Sequence, residues 1–181
     1  MSQATAPLRI APLTPGDVTR YRALMLHAYA AAPDAFTSTP EERAAAPDGW
    51  WAARIASPDG LSQAFGAQVG GELVGTATIE FSAKPKTRHK ALLIGMFVAE
   101  PARRLGAGRA LVQAALQAAS ARPGVQVVTL TVTEGNQPAI RLYEAAGFEA
   151  FGVEPMAIAT PGGLLGKVHM WLKLPPCTPA A

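Results

Sequence analysis

An apolar run from Leu92 to Ala99 passes through Arg103-Arg104-Leu105-Gly106-Ala107-Gly108 into an alanine-rich stretch. That order, strand, glycine turn, helix, requires a sheet with at least one helix packed against it. The turn also has a chemistry. Glycines let a ligand approach the backbone, and the first N–H groups of the helix that follows are unpaired donors at its positive end. A phosphate-bearing cofactor is the natural occupant. The spacing is neither Gly-x-Gly-x-x-Gly nor Gly-x-x-x-x-Gly-Lys-Ser/Thr, which disfavours the usual dinucleotide and P-loop readings.

The rest of the chain supplies the sheet and its cover. Thr14-Pro15-Gly16-Asp17 reads as a helix start, and Val18, Tyr21, Leu24, Met25 and Ala28 then recur at helical spacing. Pro33 to Pro40 breaks that helix. A second runs from about Glu41 to Ala56, interrupted at Pro47-Asp48-Gly49, with Trp51 and Ile55 one turn apart. Trp50 and Trp51 read as core and rim packing in preference to a base-stacking platform. Ala64 to Val69 and Glu72 to Phe81 form a hairpin through Gly70-Gly71. Leu92 to Val98 reads as a central strand buried on both faces. The next helix separates Ala107, Leu111 and Ala115 from Arg109, Gln113 and Gln117, and stops at Arg122-Pro123-Gly124. Val125 to Thr133 alternates as a strand, and Gly135-Asn136-Gln137-Pro138 opens a short helix ending at Gly147. Strands at about Phe148 to Glu154 and Lys167 to Leu174 flank a loop containing Thr160 to Gly163. The expected fold is α/β: a mixed, mostly antiparallel sheet of about seven strands with helices on both faces, in one domain spanning 1–181 with a frayed tail from Pro175.

Composition removes several classes. Of the residues 49% are hydrophobic and 16% charged, which suits a compact globular chain and not a disordered one. The single cysteine, Cys177, allows no internal disulfide and no cysteine metal cluster, so no metal is expected. Neither a signal peptide nor an 18-residue apolar run is legible, and the expectation is a cytoplasmic protein without a membrane partner. The net charge of +3 eases anion binding without demanding nucleic acid. The one dense basic stretch, Lys84 to Lys90, reads as an exposed hairpin loop; it lacks interleaved aromatics, and no nucleic-acid partner is expected.

Three pieces in order, from Leu92 to Phe148, carry a family resemblance. They are the strand ending Met96-Phe97-Val98, then Arg103-x-x-Gly106-x-Gly108, then Asn136-Gln137-Pro138-Ala139-Ile140-Arg141-Leu142-Tyr143-Glu144-Ala145-Ala146-Gly147-Phe148. The chain resembles the GCN5-related N-acetyltransferases, whose patterns are Gln/Arg-x-x-Gly-x-Gly/Ala and Asn-x-x-Ala-x-x-Leu-Tyr-x-x-x-Gly-Phe. One departure is Val98-Ala99-Glu100-Pro101 where the family often has Val-x-Pro, which puts the role of Glu100 in doubt. The resemblance implies acetyl-CoA as co-substrate, moved to an amine acceptor by direct attack in a ternary complex. The pyrophosphate would lie on the N–H groups of Leu105, Gly106, Ala107, Gly108 and Arg109, with charge from Arg104 and Arg109. The pantetheine would pair with Met96, Phe97 and Val98. Arg103 either binds phosphate or shapes the turn. A catalytically silent acyl-CoA sensor is the alternative, and either a monomer or a homodimer is compatible with the sequence.

Acetyl transfer sets further requirements. A primary alkylamine is only about 0.04% neutral at pH 7, so its proton must be removed before attack. The thioester oxygen needs a donor, implied by the family to be a backbone N–H near Val98. Tyr143 stands at the family's general-acid position, with Asn136 earlier on the same short helix; a tyrosine there can also simply pack. Glu80 is the candidate base, because Thr76 and Thr78 share its period-two face, although a plain exposed glutamate fits as well. His169 reads as a sheet histidine before a base, and His27 is weaker still. By analogy the acceptor would be shaped by Tyr29, Phe36, Trp50 and the loop from Pro155 to Gly166.

Overall fold

A computed structural model describes residues 6–175 of the chain. Cys177 and all of the expected tail beyond Pro175 lie outside the described residues. The elements run β1 (Leu8–Pro12), α1 (Val18–Ala31), α2 (Pro40–Ala44), α3 (Asp48–Ile55), β2 (Ser62–Val69), β3 (Glu72–Phe81), β4 (Lys90–Val98), α4 (Ala107–Ala121), β5 (Val127–Thr133), α5 (Gln137–Ala145), β6 (Glu149–Thr160) and β7 (Gly163–Lys173). The seven strands form one sheet in the order β1-β2-β3-β4-β5-β7-β6. Every neighbouring pair is antiparallel except β4 with β5. The mixed sheet expected from the sequence is therefore present.

Local chemistry explains most boundaries. Asp17 closes the turn before α1, its carboxylate accepting from the Thr14 N–H at 2.7 Å and the Thr14 hydroxyl at 3.0 Å. These bonds, the backbone one first, hold the Asp17 carboxyl below the usual range. Gly70 and Gly71 take positive φ of 59° and 89°, joining β2 to β3 by a two-residue turn. The expected helix over 41–56 is two helices, since Pro47 cannot continue α2 and instead precedes α3.

Period-two alternation divides the sheet into two faces. Val128 and Leu130 of β5 and Met170 of β7 pack under α4 with Leu111, Val112 and Ala115. On the opposite face α1 and α3 bury Tyr21, Trp51 and Ile55 with Ala64 and Phe97. Those two helices cover only the β2–β4 part of that face. Over β5 and β6 its cover is the turn at Pro33–Ala35, and Trp171 on β7 stays 38% exposed.

Two expectations are corrected. Leu92 to Val98 is not buried on both faces: Leu92 is 38% exposed, because no helix covers it and β5 leaves it after three residues. The segment from Pro155 to Gly166 is not a loop but the far end of the β6–β7 hairpin, turning at Thr160–Gly163. Its register shifts between Glu154 and Ile158, which absorbs Pro155; on an edge strand the missing N–H breaks no ladder.

Trp51 is fully buried and meets Tyr21 edge-on at 6.0 Å. Trp51→Ala should therefore cost about 3 to 5 kcal/mol of unfolding free energy in a denaturant titration, with the largest loss of order around α1 and α3.

Candidate active site

β4 and β5 run parallel only where Lys90, Ala91 and Leu92 face Val127, Val128 and Thr129. Beyond that point β4 continues to Val98 and β5 to Thr133 with no pairing between them. The edge of β4 that carries Met96, Phe97 and Val98 thus has backbone groups with no strand partner on the β5 side, as the family resemblance implied. Gly95 marks the same place. It has φ of 59°, and Gly95 and Met96 together oppose the single residue Ala77 in a bulge of β4. The bulge reverses the alternation, turning Phe97 into the α1 side, where its ring meets His27 at 5.9 Å. A glycine inside an apolar run was the available sequence signal for it.

The glycine turn closes one end of this gap. Glu100–Leu105 forms a 3₁₀ turn, and the Arg103 Nε donates to the Val98 carbonyl at 3.0 Å, a bond that shapes the turn. Gly106 has φ of 78° and caps α4. Nothing lies within 4 Å of a Cβ added there, so backbone conformation and not space demands glycine. The first intrahelical bond runs from the Ala110 N–H to the Gly106 carbonyl at 3.1 Å, leaving the N–H groups of Ala107, Gly108 and Arg109 ahead of it. Arg103, Arg104, Leu105 and Arg109 are exposed around them, while Ala107 is fully buried. A Cβ on Gly108 would stand 3.4 Å from Leu142 and 3.6 Å from Met96, which places Gly108 where α4, α5 and β4 converge.

α5 provides the other wall. Asn136 caps it from outside, its Oδ1 accepting from the Ala139 N–H at 3.3 Å; its carbonyl oxygen is thus committed to the helix. Tyr143 is 6% exposed, with its ring edge-on to Phe148 at 5.9 Å. Its hydroxyl has no hydrogen bond among the described residues, and burial pushes its pKa up to about 12.

On the sheet face shared with α1 stand the polar groups. Glu80 is there, its Oε1 accepting from Arg54 of α3 at 3.2 Å, and Arg54 in turn lies against Trp50. Thr76 and Thr78 share the face but are fully buried, so Glu80 is the only one of the three to reach its surface. Further along lie Thr131, Thr133, Lys167 and His169, residues whose parity is opposite to that of the α4-side core. Lys167 is 8% exposed and burial lowers its pKa, opposed by Glu154. The His169 Nε2 lies 3.2 Å from Glu154 Oε2. Tyr29 is buried edge-on to Phe36 and does not line an open cleft, contrary to expectation; Trp50 packs against Trp51 and under Arg43. Among the described residues no group of acidic, histidine or cysteine side chains is set to hold a metal, and no helix is long and apolar enough to cross a membrane.

The Acetyltransferase (GNAT) family matches residues 24–148. The chain belongs to this family. Among curated GNAT relatives it is 31% identical over 105 residues to the L-amino acid N-acetyltransferase AaaT of Escherichia coli K12, covering 58% of this chain and 64% of that one. It is 37% identical over 92 residues to an N-alpha-acetyltransferase of Sulfurisphaera tokodaii, covering 47% and 55%. The chain thus matches less than two thirds of each relative's length. The fold is shared with yncA of Salmonella typhimurium, determined with acetyl-CoA, at a TM-score of 0.77 and 20% identity over 97% of this chain and 98% of that one.

The raised Tyr143 pKa has a measurable consequence. Between about pH 10 and pH 12 the unfolded chain ionises this phenol and the folded chain does not, so stability present below pH 10 is lost as pH rises. Relative to Tyr143→Phe, the wild type should lose up to about 3 kcal/mol across that window, read as a wild-type denaturant midpoint that falls relative to that of the variant.

Proposed function

We propose that the chain is an acetyl-CoA-dependent N-acetyltransferase acting on an amine. The observation that carries this reading is the unpaired β4 edge beside the bare N-terminus of α4, where Leu142 of α5, next to Tyr143, reaches Gly108. The residues present fit coenzyme A. The open strand edge suits a chain of amide groups, and the N–H groups of Ala107 to Arg109 with Arg104 suit a pyrophosphate. Bound acetyl-CoA would supply the thioester that the amine attacks.

Tyr143 enters the reaction as a neutral phenol, since a phenol near 12 keeps its proton throughout the physiological range. A thiol titrates near 8.5, so outright proton transfer from Tyr143 to a thiolate is uphill by roughly 5 kcal/mol. Its hydroxyl therefore works by a hydrogen bond to the departing sulfur, with the attacking nitrogen giving up its proton as the phenol gives up its own. A backbone N–H of the free β4 edge near Val98 is the matching donor for the thioester oxygen. Glu80 is available from the acceptor side through the carboxylate oxygen that Arg54 does not hold. Arg103 supports the turn through Val98 and leaves its terminal nitrogens for phosphate. We keep with this reading a cytoplasmic setting and a small-molecule or peptide amine as acceptor; the two curated relatives, by their names, act on amino acids and on α-amino groups.

The test is release of free CoA thiol from acetyl-CoA across a panel of amino acids, alkylamines and peptides. An acetyl-CoA sensor would bind the cofactor and release no thiol with any amine. Tyr143→Phe should lower turnover by about 10² or more while changing the calorimetric Kd for CoA by less than about twofold.

A further inference from the structure

We propose that His169, oriented by Glu154, is the group that takes the proton from the acceptor ammonium; this rests on the acetyltransferase reading above. The last paired residues of the parallel strands are Leu92 and Thr129, so Thr131 is the next residue of β5 on the acceptor face beyond the point where the gap opens. His169 is directly opposite Thr131 on β7, one strand further from the gap. Neighbouring strands lie about 4.8 Å apart, and an imidazole at that distance reaches an amine poised over the gap directly or through one water. Val168 and Met170 turn into the α4-side core, which fixes His169 on the other face, where α1 and α3 do not cover the sheet.

The orientation of the ring comes from a bulge. Ala150 pairs with Met170 and Gly152 with His169, leaving Phe151 as an extra residue in β6. Without it the alternation would send Glu154 to the opposite face. With it, Glu154 lies on the side of Lys167 and His169, Glu154 Oε2 is 3.2 Å from His169 Nε2, and the Phe151 ring meets the imidazole at 5.8 Å. An ionised Glu154 accepts from Nε2–H, and this leaves Nδ1 with the lone pair. Glu80 offers less, because its carboxylate already answers the Arg54 guanidinium.

The step balances simply. His169 Nδ1 receives one proton from the ammonium; the freed amine forms the C–N bond as the C–S bond breaks; the second nitrogen proton passes to the Tyr143 oxygen as that hydroxyl proton goes to sulfur. The imidazolium then returns its proton to water. The charged groups on the face of His169 are Glu154 and Glu149 on β6, the latter opposite Trp171, and Lys167 on β7. Beyond β5, which brings only uncharged residues to this face, stand Glu134, whose Oε2 would lie 2.7 Å from a Cβ on Gly166, and Asp34 in the turn over β5.

Two measurements decide it. Nitrogen chemical shifts of the protein alone should show neutral His169 as the Nε2–H tautomer, and a mixed population in Glu154→Ala; a mixture already in the wild type overturns the orientation. For turnover, an alkylamine substrate from the panel is compared with methoxyamine, which is neutral at pH 7 without any base. His169→Gln should lower kcat/KM for the alkylamine by about 10² and remove the acidic limb of its pH profile, while changing the methoxyamine rate and the CoA Kd by less than about threefold. Equal losses with both nucleophiles would make His169 structural. A limb that survives His169→Gln and vanishes in Glu80→Gln would return the proton to Glu80. If no amine is acetylated by the wild type, the acetyltransferase reading itself fails and the base assignment falls with it.

Discussion

The three-residue length of the β4–β5 parallel pairing is the constraint from which the rest of the site follows. A central strand normally satisfies its backbone on both edges, and leaving Leu93 to Val98 single-edged asks water or a ligand to supply the missing partners. Leu142 of α5 and Met96 of β4 both reach the position of Gly108, so α5 and β4 meet at the start of α4, where the strands have already parted. The same helix α5 carries Tyr143.

Parity is the second organising rule, and two bulges set it. Gly95 reverses the alternation of β4 and sends Phe97 into the α1 core; Phe151 reverses that of β6 and brings Glu154 beside His169. In each case one added residue changes which chemistry a face displays, at the cost of local ladder bonds. The two irregularities bracket the open part of the face, from the central strand to the sheet's edge. Lys167 lies between β5 and β6 within that stretch, and burial disfavours its charged form there, opposed by Glu154.

The donor side was legible in the sequence because its parts are contiguous. A glycine that needs positive φ, unpaired N–H groups at a helix start, and a cap followed by Leu142-Tyr143 are all local features, and each landed where expected. The even-numbered face of β3 was legible too, since alternation is local. What escaped was set by contacts far apart in the chain. Whether Leu92 is buried depends on how far β5 accompanies it, and whether Pro155 to Gly166 is loop or strand depends on a register shift against β7. Tyr29 looked available for an acceptor but is consumed by packing with Phe36. Asn136 stands at the start of α5, and its side-chain oxygen serves the helix it caps.

This asymmetry also explains how far the comparisons reach. The family match ends at Phe148, immediately before β6, and so contains β4, the glycine turn and α5 but neither Glu154, Lys167 nor His169. The matched segment holds all the elements from within α1 to α5, including β3 and β5, and only β1 and the β6–β7 hairpin lie wholly outside it. Similarity to enzymes named for amino acids or α-amino groups covers 58% and 47% of this chain. A proton acceptor located on that hairpin would couple it to the donor side, since the strand that shapes the acceptor would also determine which ammonium can lose its proton.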